Sequence, residues 1–402
     1  MAELADAGGL NPPDGNILWV RPPLRAPTLP VGAPMRIDRV RIVRVPLTLV
    51  APLRTSQGDH SVRTATLVEI TADDGTVGWG ENVAPEDSFY KGETAEKSLS
   101  HMRDVLIPGL VDDDFDDDDD FGDEHARMPM ADHAVSSALA DIEMRQRGLP
   151  LSAAVGRRDV RTVRIGAVVG LGKSIDTVVT EAMQRVAEGY TRIKVKIAPG
   201  HDVDVVSAVR SALPAHVDLH VDANGAYLPD DIAHLSFLDS HGIGLVEQPF
   251  APGDLAGHAR LARAIDTPVC LDESVGDFVA AMDAIAAAAC SVINVKPSRV
   301  GGFHQAVAIL RLCAENGIDA WVGGMLESGI GRAGCLALAT HDACTMTPDL
   351  SASSRYFETD VTAPFVLVNG CLEVPSAPGL GVEPLAEVLA DPATSIETVF
   401  ER

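Results

Sequence analysis

The chain has 402 residues, a formal net charge of −26 and 46% hydrophobic residues, which is typical of a soluble α/β enzyme with a large core and two to three domains. The negative charge argues against nucleic acid as a partner, and no apolar run reaches the roughly 18 to 20 residues that a membrane span needs. A small anionic substrate would need cations placed close to it, because salt screens charges beyond about 8 Å.

Six cysteines are present, and none of them has CxxC spacing. Cys270 and Cys290 lie in or beside apolar runs, which favours buried free thiols over disulfides. The N-terminus lacks the basic start and the apolar core of a signal peptide. These features predict a cytoplasmic protein.

The first part of the chain divides into an extension and a small domain. Residues 1–34 contain seven prolines and no clear periodicity, and we expect them to be a flexible extension. Strand patterns come first, at 37–46, 65–71 and 77–81. Helical patterns follow around 93–110 and 129–147. This order predicts an α+β domain over residues 35–155.

Two loops of this domain stand out. A loop containing Arg54 and Thr55 separates the first two predicted strands, where it would be placed to cap a binding site. Residues 112–120 are acidic apart from Phe115. This run lacks the spaced ligands and the fixed glycine of an EF-hand, so it predicts a solvated loop rather than a calcium site.

From residue 160 onward, strand-like runs alternate with helix-like segments. The eight strand-like runs lie near 162–169, 191–197, 217–222, 243–247, 267–272, 291–296, 319–323 and 343–347. The alternation predicts a barrel of parallel strands over residues 156–355, with its chemistry at the C-terminal strand ends. Residues 356–402 are rich in turn formers and end in a short helix-like tail.

Ionisable residues recur at the ends of these runs. Lys196 comes first, and Asp222, Glu247, Asp272 and Lys296 follow at spacings of 26, 25, 25 and 24 residues. One strand, one helix and two loops of a (β/α)₈ barrel take roughly this length. We therefore expect these five side chains to meet at the barrel mouth.

Asp222, Glu247 and Asp272 are predicted metal ligands. Three hard oxygen ligands without His or Cys favour Mg²⁺ or Mn²⁺ over zinc. Without a cation, three converging carboxylates would repel one another and raise one another's pKa.

Lys196 and Lys296 flank the three acidic strands and are candidate acid/base residues. A lysine acts as a base only when its pKa falls toward neutrality, and a divalent cation or a second ammonium pushes it that way. Lys194 shares a strand face with Lys196, so it would supply that ammonium or bind a carboxylate. Two bases on opposite faces of one carbon allow racemisation, whereas one base is enough for elimination or cycloisomerisation.

Other polar residues are candidates for substrate binding or support. Asn224 follows the first predicted metal ligand by two residues and would hydrogen-bond the substrate or hold a loop. Arg299 follows the second lysine by three residues and would tune the pKa of that lysine or pair with an acid. Glu327 lies in the glycine-rich segment 323–331, whose backbone can approach a ligand closely.

Glu81 and Glu273 would also face the pocket. Glu273 directly follows the third predicted metal ligand, and Glu81 ends the third strand of the small domain. Both have less support than the residues above, since neither belongs to the periodic set.

The motifs resemble those of the enolase superfamily, in its muconate-lactonising subgroup. Within that subgroup the chain is most similar to the o-succinylbenzoate synthase / N-acylamino acid (N-succinylamino acid) racemase family. The matching motifs are Lys194-Val195-Lys196, Asp222-Ala223-Asn224, Glu247-Gln248-Pro249, Leu271-Asp272-Glu273-Ser274, Asn294-Val295-Lys296-Pro297 and residues 323–333. The similarity runs from about residue 35 to 390. These motifs are specific for the subgroup and much less specific for the substrate.

The resemblance implies a capping α+β domain, built from both termini, over a (β/α)₇β barrel. It implies Mg²⁺, for which Mn²⁺ can substitute, on the three acids, and Lys196 and Lys296 as the acid/base pair. The implied reaction is proton abstraction next to a carboxylate through an enediolate, as in an o-succinylbenzoate synthase of menaquinone biosynthesis or an N-acylamino acid racemase. Arg299 matches an arginine of racemising members. The resemblance also implies a homo-oligomer that acts on a small anionic carboxylate.

Alternatives to this reading remain open. Val168 stands where close relatives often carry serine at the end of the first barrel strand, which leaves the substrate undecided. Muconate-type cycloisomerisation would use the same residues. A dipeptide epimerase is disfavoured because the eighth strand ends in Pro348-Asp349-Leu350-Ser351 and not in paired aspartates. A non-catalytic binding or structural barrel is disfavoured because all five periodic residues are present.

Overall fold

A computed structural model describes residues 35–55, 58–86, 92–111 and 128–402. The predicted extension over 1–34 and the acidic run over 112–120 lie outside the described residues. Within the described ranges, no helix has both the length and the apolar character to cross a membrane.

The strands belong to one antiparallel sheet, one parallel sheet and one two-stranded ribbon. They are β1 (Ile37–Thr55), β2 (Gly58–Ala72), β3 (Val77–Asn82), β4 (Thr162–Arg164), β5 (Ala167–Val169), β6 (Arg192–Lys196), β7 (Asp218–Asp222), β8 (Leu245–Glu247), β9 (Val269–Leu271), β10 (Val292–Val295), β11 (Asp319–Val322), β12 (Cys371–Glu373) and β13 (Ser395–Glu401).

The helices fall between these strands. They are α1 (Ala95–His101), α2 (Ile107–Val111), α3 (Pro129–Gln146), α4 (Ser152–Val155), α5 (Ile175–Ala187), α6 (Val203–Ala212), α7 (Ile232–Leu235), α8 (Leu255–Ala264), α9 (Phe278–Ala286), α10 (Pro297–Val300), α11 (Phe303–Glu315), α12 (Gly329–Leu338) and α13 (Ala386–Leu389). A π-helical turn (Met102–Leu106) joins α1 to α2, and short 3₁₀ turns occupy Pro229–Asp231, Ser236–His241 and Ser353–Arg355.

The capping domain is a four-stranded sheet in the order β13-β1-β2-β3, with α3 packed on one face. The close packing depends on small residues. A β-carbon at Gly80 would collide with the carbonyl oxygen of Ala134, and one at Gly78 with that of Ala138. The helix backbone therefore lies directly on β3, as the predicted α+β domain requires.

Two predictions about this domain are wrong in detail. The predicted loop at Arg54 and Thr55 belongs to β1, since the β1–β2 pairing continues to Thr55 and Gly58. The predicted helical tail contains only the short α13, and the chain then ends in β13, which pairs antiparallel with β1. The β-branched and aromatic residues Ile396, Thr398, Val399 and Phe400 suit an edge strand better than a helix.

The barrel domain is a parallel sheet in the order β11-β10-β9-β8-β7-β6-β5, with helices between successive strands. Its two edges meet through the segment 345–350, because Asp349 N–H donates to Val322 O on one side and Gly166 N–H donates to Pro348 O on the other. The prediction of a regular eighth strand at 343–347 is therefore wrong. Pro348 lacks an N–H, so this segment pairs only locally.

The predicted fold class, a (β/α)₇β barrel under an α+β cap, is confirmed. The predicted first run, 162–169, divides into β4, which pairs with β12, and β5, which begins the barrel. The domain boundaries at residues 155 and 355 stay predictions. All six cysteines are free thiols, and Cys270 and Cys290 are buried as expected.

Candidate active site

The five periodic residues lie at the C-terminal ends of five neighbouring strands. Lys196, Asp222 and Glu247 close β6, β7 and β8, while Asp272 and Lys296 directly follow β9 and β10. Lys196 pairs in register with Asp222, and Asp222 with Glu247. The structure thus brings the five residues to one edge of the sheet, in the order lysine, three acids, lysine.

Each outer lysine contacts the nearest acid. Lys196 Nζ donates to Asp222 Oδ2 over 2.7 Å, and Lys296 Nζ donates to Asp272 Oδ2 over 2.8 Å. The Lys196 side chain is 29% exposed and that of Lys296 is 10% exposed. Lys196 therefore faces the open mouth, whereas Lys296 lies deeper.

Glu247 lies between these two pairs and is held by a third lysine. Lys194 Nζ donates to Glu247 Oε2 over 2.7 Å and lies 3.2 Å from Asp222 Oδ2. Asn294, on β10, donates to the other oxygen of Glu247 over 2.9 Å. Both oxygens of this buried carboxylate are therefore hydrogen-bonded.

Arg299 pairs with an acid, which is one of the two roles expected of it. Its guanidinium donates to Asp272 Oδ1 and to the backbone oxygens of Val275 and Asn294. The side chain is fully buried. Arg299 thereby anchors the start of α10, which begins directly after Lys296.

Burial and neighbouring charges act in opposite directions on the acids. Burial disfavours ionised Asp222, but Lys196 and Lys194 outweigh this effect and hold its pKa well below the usual range. For Glu247, burial and the charge of Asp222 dominate and raise the pKa.

Lys194 is a permanent cation. Burial favours its neutral amine, yet the carboxylates of Asp349, Glu247 and Asp222 raise the pKa of Lys194 well above the usual range. Lys194 thus pairs with three carboxylates of the site, and its role in the reaction stays a prediction.

Asn224 supports Lys196. Its Oδ1 accepts from Lys196 Nζ, while its Nδ2 donates to Glu273 Oε1 over 2.9 Å. Its backbone N–H donates to Asp222 Oδ1, and its φ of 43° is left-handed, a region that asparagine tolerates. Asn224 and Glu273 thus form a bridge that orients the lysine.

Glu327 and Glu81 are buried where the loop after β11 meets the capping domain. Glu327 Oε1 accepts from the N–H of Met325 over 2.7 Å, and burial raises its pKa. Glu81 accepts from the N–H and Oγ of Ser328 and from the N–H of Gly331. Glu81 also accepts from Arg63 of β2, and Glu327 from the thiol of Cys335 in α12. The hydrogen bonds of the two glutamates thus go to the capping sheet, this loop and α12, and not to the five periodic residues.

Val168 faces the barrel interior beside Lys194, with which it pairs in register. Its backbone oxygen accepts from the guanidinium of Arg355 over 3.0 Å. The side chains of Arg54 and Thr55 lie outside the described residues.

Sequence reasoning missed two residues that support the site. Gln248 Oε1 accepts from the N–H of Asp272 over 2.9 Å and from the N–H of Ser274 over 3.1 Å, so it holds the loop that carries Asp272. Asn294, on β10, supports Glu247. It precedes Lys296 by two residues and so shares its strand face, which is the signal that predicts its contact with Glu247.

The donor chemistry of the three acids fits a divalent cation. They supply hard carboxylate oxygens at adjacent strand ends, and their present partners are the cationic groups of Lys194, Lys196, Lys296 and Arg299. With these partners in place, residues 35–55, 58–86, 92–111 and 128–402 contain no three or more His, Cys, Asp or Glu side chains grouped closely enough to hold a metal ion. The three carboxylates would therefore have to turn from their cationic partners toward a bound cation.

Family models match almost the whole described chain. The model described as mandelate racemase / muconate lactonizing enzyme, N-terminal domain, matches residues 37–156. The model described as enolase C-terminal domain-like matches residues 177–388. Together they cover the capping domain apart from β13 and most of the barrel.

Individual relatives agree with these models. An N-succinylamino acid racemase from Amycolatopsis is 41% identical over 365 residues, which are 90% of this chain and 98% of that protein. An o-succinylbenzoate synthase from Geobacillus kaustophilus is 38% identical over 353 residues, 87% of this chain and 94% of that protein. A solved enolase superfamily member from Listeria innocua superposes with a TM-score of 0.82 at 31% identity, covering 91% of this chain and 100% of that one.

Proposed function

Because this chain belongs to the o-succinylbenzoate synthase / N-succinylamino acid racemase family of the enolase superfamily, we propose that it removes a proton from the carbon next to a substrate carboxylate. The substrate is a small anionic carboxylate with a succinyl-type arm. Two activities use this step, namely dehydration to o-succinylbenzoate and racemisation of an N-acylamino acid.

One observation carries the proposal. Lys196 and Lys296 stand on the two sides of three adjacent acidic strand ends, and each ammonium contacts the acid nearest to it. A substrate carboxylate held above the acids would place its neighbouring carbon between the two lysines. Such a carbon is then open to a proton donor or acceptor on each face.

Asp222, Glu247 and Asp272 would hold Mg²⁺, with Mn²⁺ as a substitute. The bound cation would offset the negative charge that grows on the substrate carboxylate as the proton leaves. Lys194 and Arg299, which pair with these acids, would keep the two outer acids and Glu247 in place.

The lysines carry the proton in both reactions. In racemisation, the neutral amine of one lysine takes the proton from the α-carbon, and the ammonium of the other returns a proton to the opposite face. In dehydration, one lysine takes the α-proton and passes it to the departing hydroxyl, which leaves as water. The second lysine then acts only as a cation.

The test is proton NMR of an enantiomerically pure N-succinylamino acid with the enzyme and Mg²⁺ in D₂O. We expect loss of the α-proton signal together with inversion of configuration. Exchange of the α-proton without inversion of configuration would mean that only one lysine acts as a base. The next assay would then follow dehydration of the o-succinylbenzoate synthase substrate by ultraviolet absorbance. Absence of both exchange and dehydration would overturn the proposal.

The roles of the two lysines can be distinguished by measuring α-proton exchange with each enantiomer of the substrate. Lys196→Ala is expected to stop exchange for one enantiomer and Lys296→Ala for the other, because each lysine faces one side of the α-carbon. Loss of exchange for the same enantiomer in both variants would contradict the two-sided arrangement.

A further inference from the structure

An additional acid lies below the candidate metal site. Asp349 belongs to the segment that closes the barrel, held by its own N–H to Val322 O and by a backbone bridge to Gly323. It is buried, with 7% of its surface exposed. Its position is therefore set by the barrel closure and not by the lysines.

The carboxylate of Asp349 holds two cations of one strand face. Lys194 Nζ lies 2.6 Å from Asp349 Oδ2, and Arg192 pairs with Asp349 Oδ1. Arg192 and Lys194 are two residues apart on β6, so both point into the barrel. Each also lies 4.8 Å from the ring centre of Trp321, which forms the floor under them.

The ammonium of Lys194 is consequently divided among three acids. Asp349, Glu247 and Asp222 lie at 2.6, 2.7 and 3.2 Å from Nζ. Glu247 accepts a hydrogen bond from this ammonium, and all three acids lie within ion-pair distance of it. Two of these acids are the proposed ligands of the divalent cation, whereas Asp349 is not.

We propose that Asp349 is a positioning residue that takes up part of the charge of Lys194, which Glu247 and Asp222 would otherwise share alone, and thereby keeps these two carboxylates able to bind the divalent cation. The inference rests on the proposed function, in which these carboxylates are metal ligands. Without Asp349, the full charge of Lys194 turns toward Glu247 and Asp222 and competes with the cation.

The test measures Mg²⁺ binding to the full chain by isothermal titration calorimetry, independently of turnover. Asp349→Asn is expected to weaken the Mg²⁺ Kd by about 10- to 100-fold, the usual range for a partner of a metal ligand. Asp141→Asn is the matched control, since Asp141 is also buried but bonds Trp79 N–H and Leu380 N–H in the capping region. It should leave the Kd unchanged.

The role of Lys194 is tested by a double-mutant cycle. If Asp349 acts through Lys194, then Asp349→Asn added to Lys194→Met should change the Mg²⁺ Kd by no more than about two-fold. An equally large effect in both backgrounds would overturn the inference. This cycle also distinguishes positioning of Lys194 from a general loss of packing. A packing defect caused by Asp349→Asn would weaken Mg²⁺ binding in the Lys194→Met background as well.

If Asp349→Asn does not fold, the double variant Arg192→Met with Asp349→Asn replaces it, because removal of both charges leaves no unpaired guanidinium in the core. The same weakening of Mg²⁺ binding is expected. If the variant had the same Mg²⁺ Kd as the wild type, the inference about Asp349 would be overturned and the proposed metal site would stand. A wild-type chain that binds no divalent cation would overturn the proposed metal site and the inference with it.

Discussion

Gly323 packs directly against the side chain of Lys296. A β-carbon at position 323 would lie 2.8 Å from Lys296 Cε and closer still to Asn294 Oδ1. The glycine at the end of β11 therefore leaves the space in which the lysine extends toward Asp272.

Gly323→Ala is expected to lower kcat/KM by about 100-fold, because a shift of about 1 Å in a reacting group costs this much. The measurement is steady-state kinetics together with circular dichroism. Gly253→Ala is the control, since a β-carbon there meets nothing within 4 Å. Equal activity of the two variants would show that Lys296 adapts or takes no part in the reaction.

Removal of either outer lysine should abolish turnover while the fold is retained. Lys196→Ala and Lys296→Ala are each expected to lower kcat by about 10²- to 10⁴-fold, the usual contribution of a general acid or base. Thermal unfolding of each variant provides the folding control. Substantial activity in either variant would contradict the two-lysine mechanism.

Divalent cations should control both activity and stability. Treatment with a chelator is expected to silence the enzyme, and Mg²⁺ or Mn²⁺ should restore it, whereas Zn²⁺ alone should not, because the donors are hard oxygens. Mg²⁺ at 100 times its Kd should also stabilise the folded chain by about 2.7 kcal/mol. Full activity after exhaustive chelation would exclude the proposed metal role of Asp222, Glu247 and Asp272.

The main candidate residues were predictable because each follows a short apolar strand at a regular spacing. The same spacing continues beyond Lys296 to Gly323, 27 residues on, and to Asp349, 26 residues further. In the sequence, Asp349 stands out only as a mismatch to the paired aspartates of dipeptide epimerases. Its contact with Lys194 depends on barrel closure, which joins residues 155 positions apart in the chain.

Other features depend on tertiary contacts that local patterns do not contain. The eighth barrel segment pairs with its neighbours through a few backbone bonds around Pro348, so its hydrophobic run did not reveal its irregular shape. Glu81 resembled a pocket residue because it ends a strand. In the structure it instead joins the capping domain to the loop that begins α12.

Glu81→Gln should loosen this junction. The amide nitrogen of glutamine would face either Arg63 or the N–H donors of Ser328 and Gly331 and leave a donor unsatisfied, at a cost of about 1–3 kcal/mol in the free energy of unfolding. We also expect a raised KM, because the loop after β11 would move. Glu69→Gln is the control: Glu69 is buried in the same sheet but pairs with Arg39 and Arg41, so it should lower stability without changing KM.

Acid should weaken the contact between α3 and α11 through His133. This buried histidine lies edge-on to Phe303 at 5.0 Å, and burial lowers its pKa to about 4. An unfolded histidine titrates near 6.5, so between about pH 6.5 and 4 the unfolded chain binds more protons than the folded one. The contribution of His133 to stability is therefore fully present above about pH 6.5. It is lost progressively as the pH falls to about 4, by up to about 3 kcal/mol.

The slope of unfolding free energy against pH, measured by urea denaturation from pH 4 to 7, tests this expectation. His133→Gln should flatten the slope relative to the wild type, because glutamine does not titrate. Phe303→Leu removes the ring partner and keeps the histidine buried, so it should lower stability at every pH and leave the slope in place. If His133→Gln left the slope unchanged, the acid sensitivity of the fold would have to come from its carboxylates, whose protonation acts in the same pH range.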